Sequence, residues 1–204
     1  MSVRVGLRPM SRPLGAPCNP EWFSDFEADA VGAVPAGWAE VYGQFRVRDD
    51  YAKVGVHSVR LVYQAAQTLI GYRLTPCAPS TGRLQWYWRI QGAAETRTRV
   101  DVVTTVGSFV ALEMIVGRTH FRYTDGTWQD VPNSPAPVSN TWYTMDVRAS
   151  TLTNKWKVLI NGYDSGWLNP AATGGTFAQV NAIINYNYPP TYAWWDEVRW
   201  GITI

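Results

Sequence analysis

Binding or catalytic chemistry in this chain has three places to reside. The first is a pair of alternating segments. Residues 83–91 read Arg-Leu-Gln-Trp-Tyr-Trp-Arg-Ile-Gln. Successive side chains of an extended chain point to opposite faces. Arg83, Gln85, Tyr87 and Arg89 therefore share one face, with Leu84, Trp86, Trp88 and Ile90 behind them. Residues 97–105 continue in the same way, with Arg97, Arg99 and Asp101 opposite Val100 and Val102. Taken as neighbouring strands, the two segments present one polar face that could line a groove for an acidic or sugar ligand. Guanidinium groups suit this, because they pair with carboxylates through two parallel hydrogen bonds. Alternation by itself demands a polar face, so a solvated outer face with cross-strand charge pairs is the plainer reading. The second place is the loop 185–192, Asn-Tyr-Asn-Tyr-Pro-Pro-Thr-Tyr. Tyr186, Tyr188 and Tyr192 either stack on a sugar or a protein partner with their hydroxyls in water, or pack over an edge of the domain. The third is the N-terminal segment, where Arg4, Arg8 and Arg12 stand among four prolines.

Hydrolytic chemistry finds less support. Glycoside hydrolysis needs two carboxyl groups about 5 to 9.5 Å apart across a cleft. Asp196 and Glu197 are consecutive and point to opposite faces of a strand. Glu95 and Glu113 stand isolated in the sequence. Only two histidines are present, His57 and His120, too far apart in sequence to suggest a metal site or a Ser-His-Asp set. No complete catalytic signature is present, so a non-enzymatic protein is expected. The two cysteines, Cys18 and Cys77, either form a disulfide or remain as buried thiols; spacing cannot decide between the two.

The elements that position these residues are strands. The chain has 204 residues, long enough for one large all-β domain with a substantial core. Hydrophobic residues make up 46% and charged residues 17%, which excludes disorder for the chain as a whole. Period-two alternation recurs over 142–149 and 155–161, and further strands are expected at 22–27, 39–47, 56–64, 68–74, 108–117, 119–123, 178–186 and 192–203. Turn residues separate them, including Asp125-Gly126, Asn161-Gly162 and Gly174-Gly175. No segment has a helical period, and no uncharged apolar run approaches the roughly 18 residues of a membrane helix. An all-β antiparallel jelly-roll β-sandwich over residues 21–204 is expected. Residues 1–20 carry three arginines and no acid, while the remainder holds 15 basic and 16 acidic residues. The net charge of +2 gives no chain-wide nucleic-acid footprint, so neither nucleic-acid binding nor membrane insertion is expected. Prolines at 9, 13, 17 and 20 disfavour helix, so residues 1–20 are expected to form an extended arm, either frayed or docked on a neighbouring subunit.

Several strings carry a resemblance. Residues 23–61 have the form Phe-x-Asp-Phe-Glu, then Val34-Pro35-Ala36-Gly37-Trp38, then Ala52-x-x-Gly55-x-x-Ser58-Val59-Arg60-Leu61. Residues 140–147 read Asn-Thr-Trp-Tyr-Thr-Met-Asp-Val and 156–162 read Trp-Lys-Val-Leu-Ile-Asn-Gly, and Trp-Trp-Asp-Glu-Val-Arg-Trp stands at 194–200. Over about residues 22–203 the chain resembles the concanavalin A-like, laminin-G-like jelly-roll superfamily. The resemblance implies that the first strand lies near the terminal strand. It also implies a structural Ca²⁺ at that junction, held by Asp25, Glu27 and Asp196, since hard carboxylates suit Ca²⁺. The alternative is that these acids cap loops or pair with Arg60 or Arg199. No other cofactor is expected.

The superfamily spans lectins, adhesion modules, hydrolases, lyases and virion proteins, so fold alone does not choose among them. The fold resembles extracellular modules, yet Arg4 and Arg8 interrupt any secretory h-region. A phage virion component satisfies both, being released by lysis. The expectation is a decoration, minor capsid or tail protein at the virion surface, with the arm docking on neighbouring subunits and a cell-surface glycan as a further partner. The alternative is an extracellular carbohydrate-binding module, or a lyase- or hydrolase-type domain of a secreted bacterial protein.

Overall fold

The alternating segments fold as strands in the computed structural model, which describes residues 19, 21–41, 44–62, 69–184 and 192–201. The arm's Arg4, Arg8 and Arg12, and Tyr186 and Tyr188 of the tyrosine loop, lie outside these residues. In chain order the strands are β1 (Trp22–Ser24), β2 (Ala39–Glu40), β3 (Gln44–Arg48), β4 (Ser58–Val62), β5 (Leu69–Leu74), β6 (Thr81–Gln91), β7 (Arg97–Thr104) and β8 (Gly107–Ile115). There follow β9 (Arg122–Thr124), β10 (Trp128–Asp130), β11 (Trp142–Ser150), β12 (Lys155–Ile160), β13 (Tyr163–Asp164), β14 (Phe177–Ile184) and β15 (Tyr192–Gly201). No described residue is helical.

Two antiparallel sheets result. The first runs β13-β12-β11-β6-β15-β4-β3, with β1 also paired to β15; the second runs β10-β9-β8-β7-β14-β5-β2. The first strand does lie beside the last, with Trp22 opposite Trp200. β1 is shorter than expected. It ends at Ser24, and Phe26 takes a positive φ of 65° that leads the chain into a turn.

The core lies between the sheets. Leu84, Trp86, Trp88 and Ile90 project inward from β6, and Tyr143, Met145 and Val147 from the neighbouring β11. From the second sheet they meet Val100, Val102, Leu112, Val180 and Ala182. Trp86 lies 5.7 Å from Trp88 and 5.9 Å from Trp195, ring centre to ring centre, so a chain of indoles runs through the first sheet's inner surface. Apolar area of this order is the main favourable term in folding.

β15 carries a bulge that keeps this pattern intact. Asp196 stands opposite Tyr87, but Arg199 stands opposite Gln85. Three steps on one strand thus match two on the other, and Glu197 adopts a positive φ of 45°. The shift turns Val198 and Trp200 into the core and Arg199 outward.

Candidate functional site

The two alternating segments named above do not form one face. β6 pairs with β11 and β15 in the first sheet, whereas β7 pairs with β8 and β14 in the second. The turn at 92–96 carries the chain from one sheet to the other. Arg83, Gln85, Tyr87 and Arg89 therefore face away from Arg97, Arg99 and Asp101, on the opposite outer surface of the sandwich.

On the first sheet most of the polar side chains are committed to structure. Arg83 gives a two-point contact to Asp146 at 2.9 and 2.6 Å, and Arg148 joins it at 3.2 Å. Burial pushes Asp146 up, but the hydrogen bonds from Arg83 and Arg148 outweigh it and hold the carboxyl below its usual range. Arg89, expected to be available, is 6% exposed. Its guanidinium lies 3.8 Å from the centre of Tyr51 and 4.7 Å from that of Trp194, and donates to Asn140. Tyr192 is taken up similarly, 5.3 Å from the Arg60 guanidinium and beside Trp194. Gln85 remains on an open groove of about 520 Å³ with Glu21, Phe23, Arg83 and Arg199, and Tyr87 on a smaller neighbouring one of about 170 Å³.

The carboxylates expected to hold Ca²⁺ are not gathered. Among the described residues no three His, Cys, Asp or Glu side chains form a metal-holding group. Each acid serves a loop instead. Asp196 is fully buried and accepts the N–H groups of Lys53 and Val54 at 2.7 and 2.9 Å and of Glu197 at 2.8 Å. Glu27 accepts those of Val56 and His57 at 3.0 and 2.9 Å. Asp25 accepts the N–H of Glu27. The loop between β3 and β4 is thus pinned over the first sheet, where it covers Arg89. Burial raises the Asp196 carboxyl to about 6, against the pull of its three N–H donors.

The second sheet offers a different surface. Strand register places Arg99 of β7 opposite Glu113 of β8, Glu113 opposite Arg122 of β9, and Arg122 opposite Asp130 of β10. Two residues along the strands, Asn181, Asp101 and Ala111 form the adjacent row on the same face. Asp101 is fixed by Arg99 at 2.5 and 2.7 Å and by Ser108 at 3.1 Å. The Trp128 ring lies 5.3 Å from the Arg99 guanidinium and 5.7 Å from that of Arg122. Register places Trp128 opposite Thr124, two residues along from the Arg122–Asp130 pair, so the indole stands beside both guanidinium groups. Glu113 is 3% exposed. Its burial pushes the carboxyl up against the opposing fields of Arg97, Arg122, Arg99 and Arg118. Burial likewise keeps Asp101 above its usual value despite Arg99. Arg97 reaches Glu95 at 3.6 Å, and Arg118 reaches it at 3.2 Å. The expected Arg97 and Arg99 are here. Glu113, Arg122 and Trp128 join them from strands whose pairing the sequence does not state.

No protein-family model matches the chain, and no curated protein matches it in sequence. Solved structures do. A sialidase superposes with a TM-score of 0.71 at 14% identity, covering 90% of this chain. This chain spans only 18% of the sialidase's length. The cellulose-induced protein Cip1 gives 0.65 at 14% identity, with 89% of this chain and 97% of that one covered. The β-glucanase of Bacillus licheniformis gives 0.59 at 12% identity, with 89% and 98% covered. The chain has the jelly-roll β-sandwich fold. In this jelly roll the first sheet's outer surface is partly closed by the 49–57 loop. The second sheet presents the arginine row without such a cover among the described residues.

Proposed function

We propose that this chain is a carbohydrate-binding module that takes an anionic saccharide on the outer face of its second sheet. The observation that carries the reading is the in-register row Arg99–Glu113–Arg122, with the Trp128 ring beside both guanidinium groups. Guanidinium groups on a fixed sheet suit a sugar carboxylate, and a half-exposed indole suits the flat face of a pyranose ring. Glu95 and Asp130, the acids facing Arg97, Arg118 and Arg122, have side chains 43% and 62% exposed, so a ligand anion can replace them at small cost. Two of the similar structures, a sialidase and a β-glucanase, are named for action on glycans, which supports a saccharide ligand.

The module is non-hydrolytic on this reading. Asp101, the other buried carboxyl on the face, is engaged by Arg99 and Ser108 and is not free to act as a base or nucleophile. Cys77 is disulfide-bonded, which supports an oxidising, extracellular setting. The chain's other cysteine, Cys18, lies outside the described residues. The reading as a phage decoration, capsid or tail component rests on the arm, and the similar structures lend it no support.

The test is titration calorimetry with oligogalacturonate and its neutral, carboxyl-reduced counterpart. The wild-type chain should bind the former and not the latter. Arg122→Gln and Trp128→Ala should each lose about tenfold or more in affinity, the worth of one good polar or aromatic contact, with unchanged melting. Equal binding of the neutral oligomer, or cleavage of either oligomer, would overturn the reading.

A further inference from the structure

The centre of the arginine row is a buried carboxyl group. Glu113 is buried and stands directly between Arg99 and Arg122 in the strand register. Burial disfavours the ionised form of such a carboxyl and arginines on both neighbouring strands favour it, so its charge answers to what else the face holds. We propose that Glu113 is a proton-controlled countercharge: the face captures an anionic saccharide while Glu113 is protonated and releases it when Glu113 ionises. The inference rests on the reading of this face as an anionic-saccharide site.

The charges around Glu113 make the argument. From β7 come Arg97, Arg99 and Asp101, from β9 Arg122, and from the turn after β8 Arg118. Glu95 stands between Arg97 and Arg118. Asp130 of β10 stands 4.0 Å from Arg122 and 3.8 Å from His120. Asp101 is spoken for by Arg99 and Ser108. With Glu113 ionised, four arginines face four carboxylates and the patch is neutral. With Glu113 protonated, the patch carries one uncompensated positive charge, between the two arginines that the Trp128 ring adjoins. A ligand anion supplies the missing negative charge, and Glu113 then has every reason to keep its proton. Burial opposes ionisation of Glu113 more strongly than the four arginines favour it, which moves its titration upward from the ordinary 4.5. By linkage, ligand and proton must favour each other to the same extent.

The experiment measures binding of fluorescently labelled oligogalacturonate from about pH 5 to pH 8 at constant ionic strength, a range in which the probe stays ionised. Wild-type affinity should fall about tenfold with rising pH, the effect of one unit charge across a few ångströms of half-exposed protein. Glu113→Gln should keep the acid-side affinity throughout. His120→Gln should keep the wild-type dependence. A wild-type affinity flat with pH, or a slope that survives in Glu113→Gln or vanishes in His120→Gln, overturns the proposal and leaves the binding site standing. Absence of binding by wild type and Glu113→Gln alike at every pH overturns the site reading, and the proposal with it. Should Glu113→Gln fold poorly, carboxyl NMR of the wild-type chain decides. Saturating probe must raise the pH at which Glu113 titrates, and no change overturns the inference.

Discussion

At the scale of single residues, the inward side chains were legible and the outward ones were not. Leu84, Trp86, Trp88 and Ile90 alternate cleanly, and all four are buried. Their facing follows from strand geometry alone. Arg89 alternates equally cleanly on the other side, yet it is buried between Tyr51 and Trp194. That outcome depends on a loop from elsewhere in the chain. Glu113 reads as an isolated acid until pairing puts an arginine on each side. The core indoles themselves carry a testable oddity. The ring nitrogens of Trp86, Trp88, Trp195 and Trp200 are buried without an acceptor among the described residues. Trp88→Ala should cost about 3–5 kcal/mol through the cavity it opens. Trp88→Phe should cost much less, because it also removes an unsatisfied N–H worth about 1–3 kcal/mol. Chemical denaturation of the two variants checks this, and equal losses would mean that the indole N–H is satisfied in solution.

At the scale of elements, the longest strands were legible and their partners were not. Residues 83–91, 97–105, 142–149 and 155–161 announce themselves by alternation, whereas β10 and β13, of three and two residues, are too short to show a period. The decisive miss was the turn at 92–96. Connections of two to five residues commonly make hairpins, so β6 and β7 read as neighbours; in the structure the turn passes from one sheet to the other. Nothing in Gly92 to Thr96 encodes that choice. It follows from β11 and β15 already occupying both edges of β6. One contact holds β6 and β15 in this arrangement with little tolerance. A Cβ placed at Gly82 would stand 2.2 Å from Cη2 of Trp200. Gly82→Ala should therefore cost about 1–3 kcal/mol through overpacking. Trp200→Phe, which removes the offending atom, should cancel much of that cost. The coupling is read from a double-mutant cycle of denaturation midpoints, and additivity of the two changes would show that the strands move apart freely.

At the scale of the whole molecule, the carboxyl groups that the fold perturbs set how stability varies with pH, and they act in two opposed sets. Asp146 and Asp164 lie below their usual range in the folded chain. Asp146 is held there by Arg83 and Arg148 against burial, and Asp164 by the hydrogen bond from Lys157. Their contribution is fully present above about 3.8 and is lost as pH falls through their lowered values. Asp196, Asp101 and Glu113 lie above their usual range, chiefly through burial. For Asp196 the ordinary value is 3.8 and the folded value about 6. Between those two the folded chain keeps a proton that the unfolded chain has shed, so stability falls as pH rises through that window and levels off above it. Asp101 and Glu113 add to the same decline. Stability should thus peak near the lower end of the window, on the acid side of neutrality, with a steep loss below it and a gradual one towards neutrality. Asp196→Asn isolates the largest part. An amide resembles the protonated carboxyl in shape and charge but does not titrate, so the variant should track the wild type near pH 4 and lose much of the decline between there and pH 6. Melting temperatures across a pH series check both statements. A wild-type profile that rises towards neutrality, or an unchanged slope in Asp196→Asn, would mean that the N–H groups of Lys53, Val54 and Glu197 hold Asp196 ionised after all.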